Sequence, residues 1–456
     1  MASRPPVTAA ARPPALRSAV QTYTANVVGA FLSLASVLIV ARVLGAEGRG
    51  HIAFLTAIAW FTANLSTAGV NEANANLAAS VPRLRRALAT NSLLLAFVLG
   101  SAAFGVVAAL VTLFPSVAGD ADRSLLWMTL GFLPLLVLQP FLRFLVEADY
   151  GFFVSNAGRV VPPALNVTLN GLLALLGLLT VGSAVAVWLA GQVLTVVLLA
   201  WYVERRLAGF GRPSAALAGQ ALRFGVKAHV GRVMLLGNYR LDQWLLGAIS
   251  GARELGLYSV AVAWAEALWY LPTALAAVQR PDLVRARVRE AARQATRVFR
   301  VTALITAAGA LVMVAAAPVL CATVFGAEFR GSVDDLRVLA AGAVGVVALK
   351  LFGGALVARG RPGLQSLGLG LGFVCTVVLD VVLIPPFGGL GAALASTLAY
   401  TAAGSVMAVT FLRALEARPS DLVPRVGELA EFARDVRARF RRGSAASPPE
   451  RGTIVP

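Results

Sequence analysis

The chain has 456 residues, 58% of them hydrophobic and only 14% charged, with a formal net charge of +18. Soluble domains run at about 45–50% apolar and 25% charged, so soluble, disordered and collagen-like classes are excluded, and an all-α polytopic membrane protein remains. Two cysteines (Cys321, Cys375) and two histidines (His51, His229) are too few for a disulfide framework or a Cys/His metal centre, so no metal, cofactor or catalytic constellation is expected.

Residues 1–17, rich in Pro, Ala and Arg, read as a disordered basic tail. They are not a cleavable signal peptide, because the apolar run that follows is too long. A helix rises about 1.5 Å per residue, so crossing a hydrocarbon core takes about 20 apolar residues. Twelve runs qualify: 18–41, 51–71, 87–113, 125–146, 160–181, 184–203, 224–248, 255–279, 301–324, 336–358, 364–384 and 390–412. The fifth and sixth are parted only near Gly182. Prolines at 134 and 140 (span four), 272 (span eight) and 318 (span nine) remove backbone hydrogen bonds and permit bends. The run LGLGLGF at 367–373 lets span eleven approach a neighbour closely. These runs divide the chain into an N-terminal six-helix bundle (18–205), a linker (206–217), a C-terminal six-helix bundle (218–413) and a basic tail (414–456). No loop is long enough for a folded domain, so the helices must carry the function.

With both termini in the cytoplasm, and with Arg143, Lys227 and Arg337 near the span ends counted with the adjoining segments, 31 of the 40 basic residues fall on inside segments, six outside and three within spans. This is the positive-inside pattern. The net charge is thus a topology signal facing anionic membrane lipids, and no nucleic acid is needed to explain it.

The two halves echo each other. LGAEGRGHIA at 44–53 joins spans one and two, and SGARELGLYS at 250–259 joins spans seven and eight. At an offset of 206, Gly45, Ala46 and Gly50 match Gly251, Ala252 and Gly256. Six plus six spans in one orientation make a parallel repeat around a central cavity, with sites expected at the repeat interface near mid-membrane.

The segments ARVLGAEGRGHIAF (41–54) and LDQWLLGAISGARELGLYSVA (241–261) resemble the first-hairpin and span-seven signatures of bacterial polysaccharide flippases. These are the Wzx-like or RfbX-like branch of the multidrug/oligosaccharidyl-lipid/polysaccharide exporter superfamily. The resemblance implies a flippase of the bacterial inner membrane, not an enzyme. It would move a polyprenyl-diphosphate-linked glycan by alternating access, alongside glycosyltransferases or a polymerase of the same pathway. A monomer is expected. The rival readings are a drug/cation antiporter, a lipid II flippase, which usually has fourteen spans, and an integral-membrane glycosyltransferase or polymerase, which usually needs a large outer loop.

A charge at mid-bilayer costs about 2.5–3.5 kcal/mol on insertion scales, so it is placed in a cavity or paired. Six ionisable residues qualify, all in the C-terminal half: Arg232, Arg240, Asp242, Glu266, Lys350 and Asp380. The N-terminal half offers Asn26, Asn64, Asn71 and Asn74. Arg232, Tyr239 and Gln243 share a stripe about 40° wide, flanked by Arg240 and Asp242. Asn26 corresponds to Arg232 by the offset, which sets the two across the cavity. Arg232, Arg240 and Lys350 are the candidates for the diphosphate, with Asn26, Asn64, Tyr239 and Gln243 beside it, because arginine's planar fork suits phosphate oxygens. The other reading pairs Arg240 or Lys350 with Asp242, Glu266 or Asp380. Glu266, among Trp264, Trp269 and Tyr270, is a candidate ion-coupling site. Asp242 either shares that role or pairs with Arg253 in a structural one. Asp380, before Pro385 and Pro386, is expected to reach water.

Residues 282–300 and 421–442 have apolar positions at helical spacing and read as amphipathic helices on the inner leaflet. Arg285, Arg287 and Arg289 would anchor the first or gather head groups at the inner mouth.

Overall fold

In the computed structural model, residues 15–423 and Gly427 are described. Most of the basic N-terminal tail and nearly all of the segment 421–442 lie outside the described residues. The helices are α1 (Ala15–Ser66), α2 (Val70–Ser80), α3 (Arg85–Leu113), α4 (Arg123–Gly131), α5 (Leu133–Ala148), α6 (Phe152–Leu175) and α7 (Val181–Arg206). There follow α8 (Ala215–Ala265), α9 (Tyr270–Arg285), α10 (Val288–Pro318), α11 (Ser332–Ala341), α12 (Ala343–Ala358) and α13 (Pro362–Leu415). No strand occurs among the described residues.

Eight continuous helical stretches are long and apolar enough to cross a membrane. Three of them are hairpins whose turn is a single glycine: Gly45 (φ 69°, ψ −172°) in α1, Gly251 (φ 86°, ψ 176°) in α8 and Gly388 (φ 54°, ψ −130°) in α13. Only a residue without Cβ enters these conformations cheaply. The limbs fold back on each other. Ala30 and Trp60 face one cavity, Asp242 bonds Tyr258, and a Cβ on Gly372 would lie 2.7 Å from Ala403 Cβ. Dividing the eight stretches at these glycines and adding α6 gives twelve traverses, the expected number. Helical geometry continues where the sequence suggested loops, because one glycine is enough to turn the chain.

The other breaks have local causes. The fifth and sixth spans part at 176–180, not at Gly182, because Thr180 caps α7: its Oγ1 accepts from Ser183 N (3.1 Å), and Ser183 Oγ accepts from Thr180 N (2.8 Å). Proline breaks the ladder at three of the four expected places, while Pro140 is carried inside α5. The α4–α5 break falls at Phe132 before Pro134, a 3₁₀ turn at Glu266–Trp269 precedes Pro272, and a π-turn at Val319–Thr323 follows Pro318.

The first six traverses form one bundle and the last six another. Leu88, Leu142, Leu145, Val146, Leu199 and Val203 fill a core within the first, touched by Leu217 at the start of α8. Phe299, Phe352 and Phe411 stack within the second, with ring centroids 4.6 and 4.5 Å apart. A third core joins the halves near the glycine pivots through Ala46, Phe54, Leu246, Leu255 and Tyr258.

The repeated motif makes this joint. A Cβ on Gly50 would sit 1.7 Å from the Ala252 carbonyl oxygen, and one on Gly256 would sit 1.8 Å from that of Ala46. The offset of 206 therefore marks a reciprocal contact: each half's alanine carbonyl rests on the other half's glycine. The joint is reinforced by Arg42, which donates to the carbonyls of Val324 and Thr323 at 2.8 Å each, and by Asp120, which accepts from Ala252 N at 3.1 Å. At the opposite, arginine-rich end, Gly69 and Gly225 meet backbone to backbone, and His229 Nε2 lies 2.8 Å from Leu65 O.

The predicted interfacial helix at 282–300 is corrected. The chain breaks at Ala286–Arg287, and Val288–Arg300 is the first part of α10, with Ala291, Ala295 and Phe299 buried. Its apolar stripe packs against helix instead of lipid.

Candidate functional site: a cationic cavity between the halves

Two adjoining cavities, about 540 and 670 Å³, lie between the bundles and share Ala30, Ser33, Trp60, Asn166, Trp188, Arg240, Glu266 and Tyr270. They form one continuous space. The first-half wall is built from single helix stripes: Gln139 and Arg143 on α5; Arg159, Pro162, Asn166 and Asn170 on α6; and Ala184, Trp188 and Gln192 on α7. Each set recurs at three- to four-residue spacing, which puts its members on one helix face.

Five cations line this space: Arg49, Arg143, Arg159, Arg240 and Lys350. Glu266 is the one carboxylate among the lining residues. Arg240 Nη1 donates to it at 2.7 Å, and Arg159 pairs with Glu147 at 3.0 Å while also donating to Asn26 Oδ1 at 3.2 Å. Arg49 and Arg143 each bury an Nε without a hydrogen-bond partner, and neither forms an ion pair among the described residues. Lys350 Nζ lies over the Tyr239 and Trp269 rings, 5.2 and 5.9 Å from their centroids. Those π faces stabilise a cation without neutralising it.

The residues expected from sequence are thus divided. Arg240, Lys350, Asn26, Tyr239, Gln243 and Glu266 line the cavity. Asn64 does not, since its side chain donates to Trp60 O in its own helix at 2.9 Å. Arg232 is not among the lining residues either. It pairs with Glu72 at 3.3 Å, an acid 160 positions away and outside any one-helix count. Arg232 and Asn26 therefore do not face each other across the cavity. Arg285, Arg287 and Arg289 are exposed at the α9–α10 junction.

Asp242 is also relocated. Its Oδ2 accepts from Tyr258 Oη (2.5 Å) and Ser396 Oγ (3.2 Å), and its Oδ1 accepts from Gln243 N (2.7 Å). Arg253 pairs instead with Glu328 at 3.2 Å. Asp380 does not reach water: it is fully buried, and both its carboxylate oxygens lack a partner. Thr376 donates to Asn238 Oδ1 at 3.0 Å. Asn238 and Thr376 lie one turn before Asp242 and Asp380, so this contact sets the register that brings the two aspartates alongside each other.

Sequence reasoning missed the first-half wall. Arg49, Arg143 and Arg159 stand near the ends of apolar runs, where hydropathy places any arginine, and nothing in composition marks Trp60, Trp188, Gln139, Gln192, Asn166 and Asn170. The available signal was the i, i+4 repetition of polar residues in α5 and α6, with Trp188 and Gln192 at the same spacing in α7.

Twelve traverses in two similar bundles around a polar cavity define a multi-pass membrane protein with the fold of the MOP-superfamily transporters. The structure overlays on an inward-facing multidrug resistance MATE family transporter with a TM-score of 0.70 at 14% identity, covering 87% of this chain and 98% of that one. On the lipid II flippase MurJ in an inward closed conformation the values are 0.72, 12%, 94% and 93%. On an outward-facing MATE transporter they are 0.60, 14%, 88% and 95%. No curated protein matches by sequence. The model of the polysaccharide biosynthesis protein family matches residues 39–334, and the chain belongs to that family.

Proposed function

We propose that this protein flips a polyprenyl-diphosphate-linked oligosaccharide across the bacterial cytoplasmic membrane. The observation that carries the reading is the five-to-one excess of cations over carboxylates around the cavity, with Arg49 and Arg143 unpaired. A doubly charged diphosphate satisfies such cations, and a poorly hydrated cavity strengthens the contact. Arg143 and Lys350 lie toward the arginine-rich end and Arg49 toward the glycine pivots. The arginine-rich end faces the cytoplasm by the distribution of basic residues, so the head group enters at Arg143 and leaves past Arg49. A drug/cation antiporter would require free carboxylates here, and the single one present is paired with Arg240.

Glu266 is held by that pair, so ion coupling belongs to Asp242 and Asp380, two carboxylates buried together in the second bundle. The two sequence units 18–205 and 218–413 act as the rocking bodies, and the family membership supports a role in glycan export in place of catalysis.

The test is translocation of a polyprenyl-diphosphate-linked glycan in vesicles containing the purified protein. Arg143→Ala is expected to slow transport about 10–100-fold, the loss of one to two charge-assisted hydrogen bonds, with little loss of folding because Arg143 makes no hydrogen bond or ion pair among the described residues. Transport at the wild-type rate would overturn the assignment.

A further inference from the structure

We infer that Asp120 and Glu328 are positioning residues of the transport cycle: each closes the outer end of the cavity by clasping the glycine turn of the opposite half. The inference rests on the proposed function in one respect, the exit of cargo past Arg49, and adds the contacts that must part for it. All three glycine turns carry a carboxylate oxygen 2.7 Å from the place of the missing Cβ: Glu328 Oε2 at Gly45, Asp120 Oδ2 at Gly251 and Glu254 Oε2 at Gly388. Each oxygen lies at the start of the limb that follows the turn, where free N–H groups and the helix dipole attract negative charge. Asp120 accepts from Ala252 N at 3.1 Å, and Glu254 accepts from Gly389 N at 3.0 Å. The turn at Gly388 is internal to the second bundle, and its acid comes from that bundle. The other two turns form the joint, and their acids are exchanged between the halves. The first-half loop at 115–120 reaches Gly251: Trp244 Nε1 donates to Val117 O at 3.4 Å, and a Cβ on Gly119 would lie 2.6 Å from Gly247 O. The second-half loop at 323–328 reaches Gly45, tethered by Arg42 at its first two carbonyls. The loops hold the same place in the two halves, since Asp122 corresponds to Glu328 at the offset of 206. Glu328 Oε1 also accepts from Arg253 Nη1 at 3.2 Å. Arg253 follows Ala252, so the two clasps share one hairpin and part together. Asp120, Arg253 and Glu328 are all exposed, so water competes for each of these contacts and the clasp is reversible. The contacts of Asp242 with Tyr258 and Ser396, buried inside one bundle, are of the opposite kind.

The experiment measures distances across the outer end by pulsed electron spin resonance on the full-length protein in nanodiscs. Nitroxides are attached at Leu113→Cys and Val319→Cys, exposed positions related by the same offset, in a chain carrying Cys321→Ala and Cys375→Ala. With the clasp intact, a short distance is expected to predominate. Asp120→Ala with Glu328→Ala is expected to raise the ratio of a second, longer distance to the first about tenfold, the worth of one to two lost caps. Asp120→Asn with Glu328→Gln keeps a carbonyl acceptor at both places, and its ratio is expected to stay within about twofold of that of the intact clasp. An unchanged distribution in the alanine pair overturns the inference. So does a broad spread with no melting transition, which marks a merely structural role, and so do amide variants that open as far as the alanine pair. The distances need no glycan. A wild type that carries no polyprenyl-diphosphate-linked glycan in vesicles removes the flippase reading, a result distinct from an outer end that ignores the loss of both acids.

Discussion

The two walls of the cavity differ in how they treat charge. The second-half wall holds most of the ionisable residues visible in the sequence, and its structure gives most of them a partner. Arg240 is paired with Glu266, Lys350 is seated over two aromatic rings, and Asp242 is bonded by Tyr258 and Ser396. The first-half wall has few residues that stand out in sequence, yet Arg49 and Arg143 form no ion pair among the described residues, and the buried Oδ1 atoms of Asn166 and Asn170 lack a partner. The lesson is that an intramembrane charge marks a site only after its partners are counted, and the partners come from other helices. A half rich in charge can be internally satisfied while a half that looks bland keeps its cations free.

Breaking the joint between the halves should have the largest effect. Gly256→Ala places a methyl 1.8 Å from the Ala46 carbonyl oxygen. A backbone atom cannot swing aside as a side chain can, so the crossing must open at a cost of about 1–3 kcal/mol or more. The expected result is loss of transport with a lowered melting temperature. Cysteine labelling near Ala46 should rise; unaltered labelling and stability would show that the contact is dispensable. Next comes the neutralised wall. Glu266→Ala leaves Arg240 without its partner and should cost about 1–3 kcal/mol in thermal unfolding, with much of the loss restored by Arg240→Leu in the same chain. Independent, additive losses would mean the two do not act as a pair.

Arg232→Ala should matter less. Its pair with Glu72 is one-third exposed on both sides, and such pairs contribute about 0.2–1 kcal/mol. Transport in vesicles should fall no more than about fivefold, and abolition would return Arg232 to the head of the candidates. Smallest of all is the combined Arg285→Gln, Arg287→Gln, Arg289→Gln variant. These side chains are exposed at a helix junction, so membrane insertion is expected to be unchanged and transport to drop about twofold through weaker attraction of anionic lipid. A loss equal to that of Arg143→Ala would move the first contact with the head group to this junction.

The sequence by itself determined the traverse count, the parallel repeat and the family. Each depends on a property local in the chain: apolar runs of bilayer length, prolines that break a ladder, and a glycine motif recurring at 206. Even the joint was present as Gly50 and Gly256, although only the fold shows that they touch each other's half. What only the tertiary structure decided is which charges remain free. Arg232 meets Glu72 across 160 positions, Asp380 is closed off from water that its place near the span end suggested, and Arg49 turns from the hairpin into the cavity. The reason is physical: Coulomb and hydrogen-bond energies depend on distances of a few ångströms between helices. Those distances are set by how the two bundles pack, which no single helical stripe contains.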